Sequence, residues 1–379
     1  MNNNWIITGA TTQIESVYGG YDIAIGDGLI CETVTPTMRP FNGSGLIAMP
    51  GIIDLHGDGF ERHIAPRNGV EFDLETALLA TDRELISNGI TTAYLAMTIS
   101  WEPGLRSLKR AREIVSALKK IQSRCASELR LQLRWEIFAL EALADVESWL
   151  DLDLAPTLAF NDHLSAILTG MKPHILSKNA GRCGLSMEEY VACLKDLESR
   201  ADEIPAAVSH LADLAKNKGI TCFAHDEGSP DERVANRSMG ISVCEFPITN
   251  ATARAAVNAG EATVLGAPNV LRGKSHTGAI DATDAIAKNF CSVLASDYYY
   301  SSQLAAVAKL GDKDPSVMAT FWPHISGNAA NAVELADRGQ IVPGKLADLV
   351  LYRIVGGHPQ IVAVFCKGYC RHLLDTTRI

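Results

Sequence analysis

Between residues 51 and 297 the chain alternates eight apolar, strand-like runs with stretches of helical periodicity. The runs are Gly51–His56, Ile90–Met97, Leu129–Phe138, Ala155–His163, Ile220–Asp226, Ile241–Phe246, Glu261–Ala267 and Cys291–Asp297. Near-continuous apolar strands belong to parallel sheets, because crossover helices cover both faces. Eight strand–helix units predict an α/β fold, the (β/α)8 or TIM barrel; a doubly wound open sheet is the alternative with a similar alternation. Residues 164–200 read as an insertion between the fourth and fifth runs, which leaves open whether they form a lid.

Both ends of the chain have a different texture. Trp5–Ile7 and Tyr21–Ile25, the latter closed by Gly26-Asp27-Gly28, read as short strands and turns, as do Leu346–Leu351 and Ile361–Phe365. The expectation is a small β-sandwich domain built from 1–48 plus 335–379, with the barrel over 49–334. A length of 379 residues suits that division, since such barrels run to about 250 residues and more.

The formal charge of −10 weighs against nucleic-acid or anionic-membrane partners, while a locally basic site still admits a small anionic substrate. No apolar run reaches the ~20 residues of a membrane span, and Met1–Asn4 shows no signal-peptide pattern. Nine scattered cysteines without a C-x-x-C pair read as reduced thiols, so a cytoplasmic location is expected. A homo-oligomer is expected on general grounds.

In a parallel barrel, chemistry gathers at the C-terminal ends of the strands. Several runs end in metal-ligand residue types: Asp54-Leu55-His56-Gly57-Asp58, Glu136, Asp162-His163, His225-Asp226 and Asp297. Alternate strand residues point the same way, so His56 and Asp58 can share one ion. Each residue alone has a bland reading; Asp297, for example, could cap a helix before Tyr298-Tyr299-Tyr300. Asp162 and Asp226 are not expected to partner His163 and His225, because neighbours on a strand face opposite ways. The charges of 106–120 read as the wet face of a helix. Imidazole and carboxylate donors suit one or two divalent ions, zinc first, with manganese or iron compatible.

Met49-Pro50-Gly51-Ile52-Ile53-Asp54-Leu55-His56 resembles the entry of the amidohydrolase superfamily into its first barrel strand. Residues Gly339 to Val350, with Pro343-Gly344-Lys345-Leu346-Ala347-Asp348 at their centre, resemble that superfamily's return into its small β-domain. Three further stretches, Ala224-His225-Asp226-Glu227, Leu265 to Gly278, and Leu294-Ala295-Ser296-Asp297-Tyr298-Tyr299, are similar to one of its families. That family comprises the diphosphatases acting on ribose 1-methylphosphonate 5-triphosphate. It has His-x-Asp where most of the superfamily has His-x-His, as in His56-Gly57-Asp58 here. Departures occur at Asn68 and at Ala279-Ile280.

The resemblance implies His56, Asp58, Glu136, His163, His225 and Asp297 as metal-site residues, with Glu136 where many relatives carry a carbamylated lysine. It implies Asp297 as the catalytic base. Arg272, Lys274, Ser275 and His276, with Arg67, would bind the phosphates; an isolated loop of this composition would read as a solvated basic turn. The expected reaction is hydrolysis of a phosphoanhydride with release of pyrophosphate. C–N hydrolysis on the same metal site, as by an amide hydrolase or N-acyl sugar deacetylase, is the alternative, and a non-enzymatic barrel retained as an assembly subunit is a further one.

Overall fold

A computed structural model describes residues 4–14, 17–67, 69–169, 173–273 and 279–379. Eight parallel strands follow one another in chain order around a single sheet. They are β1 (Ile52–Gly57), β2 (Ile90–Ile99), β3 (Glu128–Glu136), β4 (Thr157–Asn161), β5 (Cys222–His225), β6 (Val243–Glu245), β7 (Ala262–Gly266) and β8 (Val293–Ala295). The first and last strands meet at a parallel bridge between Gly57 and Asp297, which closes the barrel and excludes the open doubly wound sheet. All ten residues of β2 are buried, as a strand covered on both faces requires.

The seam between β1 and β8 is tied by side chains and backbone together. The buried Asp54 carboxylate accepts hydrogen bonds from Ser296 N–H at 2.8 Å and Ser296 Oγ at 2.5 Å. Just above, Asp297 N–H donates to His56 O at 2.9 Å, and Asp58 N–H donates to Asp297 O at 3.0 Å. A Cβ on Gly57 would lie 2.6 Å from Asp54 Oδ2 and 2.7 Å from Tyr300 Cε1, so only glycine lets the two strands close here.

The chain ends meet in the small β-domain. Ile47–Pro50, from the N-terminal segment, pairs antiparallel with Leu349–Val355, from the C-terminal one, inside a six-stranded sheet. A four-stranded sheet built from residues 5–42 packs on it through Trp5, Ile7, Ile25, Phe41, Leu349 and Phe365. The Gly26-Asp27-Gly28 signal is a hairpin turn: Gly26 pairs with Leu29, while Asp27 and Gly28 have φ of 51° and 84°. Residues 164–200 contain the helices His163–Thr169, Pro173–Cys183 and Met187–Glu198; a Ser186/Glu189 capping box starts the last.

At the N-terminal end of the barrel strands a partly buried ion cluster fastens the C-terminal segment. Arg338 donates to Thr92 Oγ1 at 2.7 Å and to Glu128 Oε2 at 3.0 Å, and Lys367 Nζ lies 2.7 Å from the same oxygen. Burial alone would raise the Glu128 pKa, but Arg338, Lys367 and Arg130 hold it down to about 2. A depressed carboxyl contributes stability that is complete above its unfolded value and is lost as pH falls through the folded one. The contribution is about 3 kcal/mol, present above pH ~5 and lost toward pH ~2. Glu128→Gln should therefore destabilise the protein at neutral pH and flatten its loss of stability between pH ~5 and ~2. Denaturant unfolding measured across that range checks both effects; an unchanged slope would refute the assignment.

Candidate metal centre

The strand ends bring donors from distant parts of the chain around one cavity, lined among others by His56, Asp58, Arg134, His225, Asp226, Arg272, Asp297 and Tyr298. Ligand atoms of His56, Asp58 and Asp297 lie within 4.8 Å of one another, as do those of His163, His225 and Asp226, and those of His56, His225 and Glu245. His56 and His225 stack obliquely, with ring centroids 5.4 Å apart.

Each imidazole has a carboxylate beside it. His56 Nδ1 is 3.0 Å from Glu245 Oε1, which also accepts from Gln132 Nε2 at 2.7 Å. Burial, reinforced by the Arg134 charge, pushes the His56 pKa well below the usual range, so the ring is neutral. Its Nδ1 proton therefore points to Glu245, and Nε2 keeps a lone pair. His163 Nδ1 lies 2.5 Å from Glu136 Oε1, and the His163 backbone N–H donates to Glu136 Oε2 at 3.2 Å. Burial would lower the His163 pKa, but Glu136 holds it above the usual value. His163 thus meets Glu136 from the first turn of a helix, His163–Thr169, instead of from the end of β4.

His225 corrects the sequence reading. Its Nδ1 lies 3.0 Å from Asp226 Oδ2, although strand neighbours should diverge. The strand ends at His225, and Asp226 has a φ of 59°, which turns its carboxylate back beside the ring. Asp162 behaves otherwise: its Oδ1 accepts from Ser165 N–H in the first turn of the following helix.

Asp297 also has a positive φ, 56°, and hangs into the cavity from the seam. Burial, followed by the charge of Asp58, pushes its pKa up to about 7. Glu245 is fully buried, its carboxyl is raised by burial, and Oε2 has no hydrogen-bond partner among the described residues. The His56 and His225 rings, both held neutral by burial, closely spaced carboxylates and the unpartnered Glu245 oxygen fit a divalent cation with N and O ligands.

The phosphate residues expected from the sequence fall differently. Arg272 ends the helix after β7, lines the cavity, and has Nη1 3.5 Å from the Tyr298 hydroxyl. Arg67 is exposed in a turn bridged to Val70 and is not among the cavity-lining residues. Lys274, Ser275 and His276 lie outside the described residues.

Sequence reasoning missed Glu245, Arg134, Gln132 and Arg106. Glu245 sits near the end of the sixth apolar run, where the rule that selected Glu136 applies equally. Gln132 and Arg134 alternate with Glu136, so all three point into the barrel. Arg106, grouped with a wet helix face, lies before that helix; its guanidinium holds Glu61 at 2.8 Å and stands 3.5 Å from Asp58.

Fold and donor set define a class: a barrel of the amidohydrolase fold with a candidate divalent-metal site at its strand ends. Among curated proteins, the chain is similar to the alpha-D-ribose 1-methylphosphonate 5-triphosphate diphosphatase of Escherichia coli (strain K12), with 27% identity over 364 residues, 93% of this chain and 96% of that protein. Among solved structures, it is similar to an amidohydrolase from an environmental sample of the Sargasso Sea, with a TM-score of 0.64, 14% identity, and 98% and 93% of the two chains covered. It is also similar to an adenosine deaminase from Xanthomonas campestris with bound zinc, with a TM-score of 0.60, 13% identity, and 99% and 95% covered. No protein-family model matches. No helix among the described residues is long and apolar enough to cross a membrane.

Glu245 is expected to act on metal affinity through both His56 and its own free oxygen. Glu245→Gln should weaken zinc binding roughly tenfold to hundredfold, measured by competition with a chromophoric chelator. Asp162→Asn, at an exposed helix start, should leave it unchanged.

Proposed function

We propose that the protein hydrolyses a phosphoanhydride in a phosphonate-bearing ribose triphosphate, releasing pyrophosphate, with zinc as its metal. The observation that carries this reading is Arg272, a guanidinium on the wall of the same cavity that gathers the metal donors. Likeness over nearly the whole chain to a diphosphatase of that substrate supports it. His-Gly-Asp at residues 56–58 supports it as well.

The metal would be held by His56, His225, Asp297 and their carboxylate neighbours. When bound, a divalent ion supplies Lewis acidity, polarising a phosphoryl oxygen and easing the ionisation of water. The remaining work falls to the protein. Asp297 takes the proton from the attacking water, whose oxygen bonds to the phosphorus nearest the ribose. The anhydride P–O bond on the far side breaks, and its electron pair leaves on pyrophosphate. Arg272 holds the charge that builds on that leaving group with paired N–H donors. Glu245 keeps the His56 ring in one tautomer and one orientation, and the Asp226 carboxylate stands beside the His225 ring. Phe246, Pro247, Leu265 and Ile280 line the cavity's apolar wall, which limits water around the reacting anhydride.

Pyrophosphate release from the ribose triphosphate should be abolished by chelation and restored by zinc. Arg272→Ala should lower kcat/KM roughly tenfold to hundredfold, the loss of one charge-assisted contact. An N-acyl amino sugar, having no phosphate chain, should not be turned over. Turnover of the N-acyl substrate alone, unaffected by Arg272→Ala, would replace this reading with C–N hydrolysis.

A further inference from the structure

The cavity already contains a fixed cation. Arg134 projects inward from β3, and its side chain is 5% exposed. Its Nη2 is 3.3 Å from His225 Nε2, and its Nη1 is 3.6 Å from Asp58 Oδ2. A guanidinium is permanently charged and can only donate, so the His225 nitrogen facing it must carry the lone pair. That lone pair is the one a metal would use. Asp58 is neutralised further by Arg106, 3.5 Å away.

The two partners of Arg134 belong to different donor groups. His225 is grouped with His163 and Asp226 and also with His56 and Glu245, whereas Asp58 is grouped with His56 and Asp297. Arg134 therefore contacts one member of each of the two outer groups, those of His163, His225 and Asp226 and of His56, Asp58 and Asp297, which a pair of ions would have to divide between them. A dinuclear centre would set two divalent charges against a buried guanidinium with little solvent to screen them.

We propose that this chain binds one divalent ion and that Arg134 is the second cation of the site. The inference rests on the metal-hydrolase reading but does not depend on which substrate is cleaved. Arg134 balances the clustered carboxylates permanently, and it holds the donor groups together when the metal is absent. It acts as a positioning residue toward His225 and Asp58, and its effect is readable in stoichiometry without any assay of catalysis.

The test is equilibrium dialysis of chelator-stripped full-length protein against zinc, followed by elemental analysis. Wild type should retain about one zinc per chain and Arg134→Met about two, because the variant frees both donor groups and removes a positive charge. Arg134→Lys, which keeps the charge, should stay near one; Arg134→Gln serves as a second neutral replacement, with circular dichroism reporting on folding. Two zinc ions on wild type overturn the proposal and leave the metal-hydrolase reading standing. No zinc on wild type removes both. One ion on wild type and still one, equally tight, on a folded neutral variant also overturns it.

Discussion

Closure of the barrel between β1 and β8 is the contact on which the site depends. Asp54 and Ser296 are 242 positions apart, and their paired hydrogen bonds bring the first strand against the last. The backbone exchange directly above carries His56, Asp58 and Asp297 into one corner. These residues sit where the strands end, so their side chains are free to converge while their backbones remain in the sheet. The same seam demands Gly57, because a side chain there would collide with Asp54 and Tyr300. Seam and metal corner are thus one piece of geometry.

Once closed, the barrel mouth concentrates like charge. Asp58, Glu136, Asp226, Glu245 and Asp297 gather at the strand ends, and burial works against ionising the last four. The fold meets this in three ways. Histidines take up carboxylates pairwise, as in His56–Glu245 and His163–Glu136. Arg134 and Arg106 place guanidiniums against Asp58. What remains uncompensated, above all the Glu245 oxygen with no partner among the described residues, fits a divalent ion. The opposite end of the barrel handles charge differently: Glu128 has its cations, Arg338 and Lys367, supplied by the chain itself. One end is electrostatically complete, and the other is built to take a ligand.

Much of this was legible along the chain. Apolar runs reveal parallel strands because both faces are buried, and helical periodicity between them reveals the crossovers. The Asp27-Gly28 turn announced a hairpin because few other dipeptides accept two positive φ values. Strand-end residues such as His56, Glu136 and His225 could be proposed because a strand's direction decides which of its ends is the chemical one. Asp226 could not, since the local rule that neighbours diverge fails where the backbone enters the left-handed region. Arg106 could not either, because its partners Asp58 and Glu61 are reached only through folding.

The sequence by itself therefore determined the class of fold, the end of the barrel at which chemistry occurs, and the residue types available there. Those follow from periodicity and from local conformational preference, which act over a few residues. Only the tertiary structure decided the pairings: Glu245 with His56, Arg134 between His225 and Asp58, Arg272 on the cavity wall and Arg67 away from it. Charge pairing depends on distance in space and on exclusion of water, and both are set when strands far apart in the chain close into one ring.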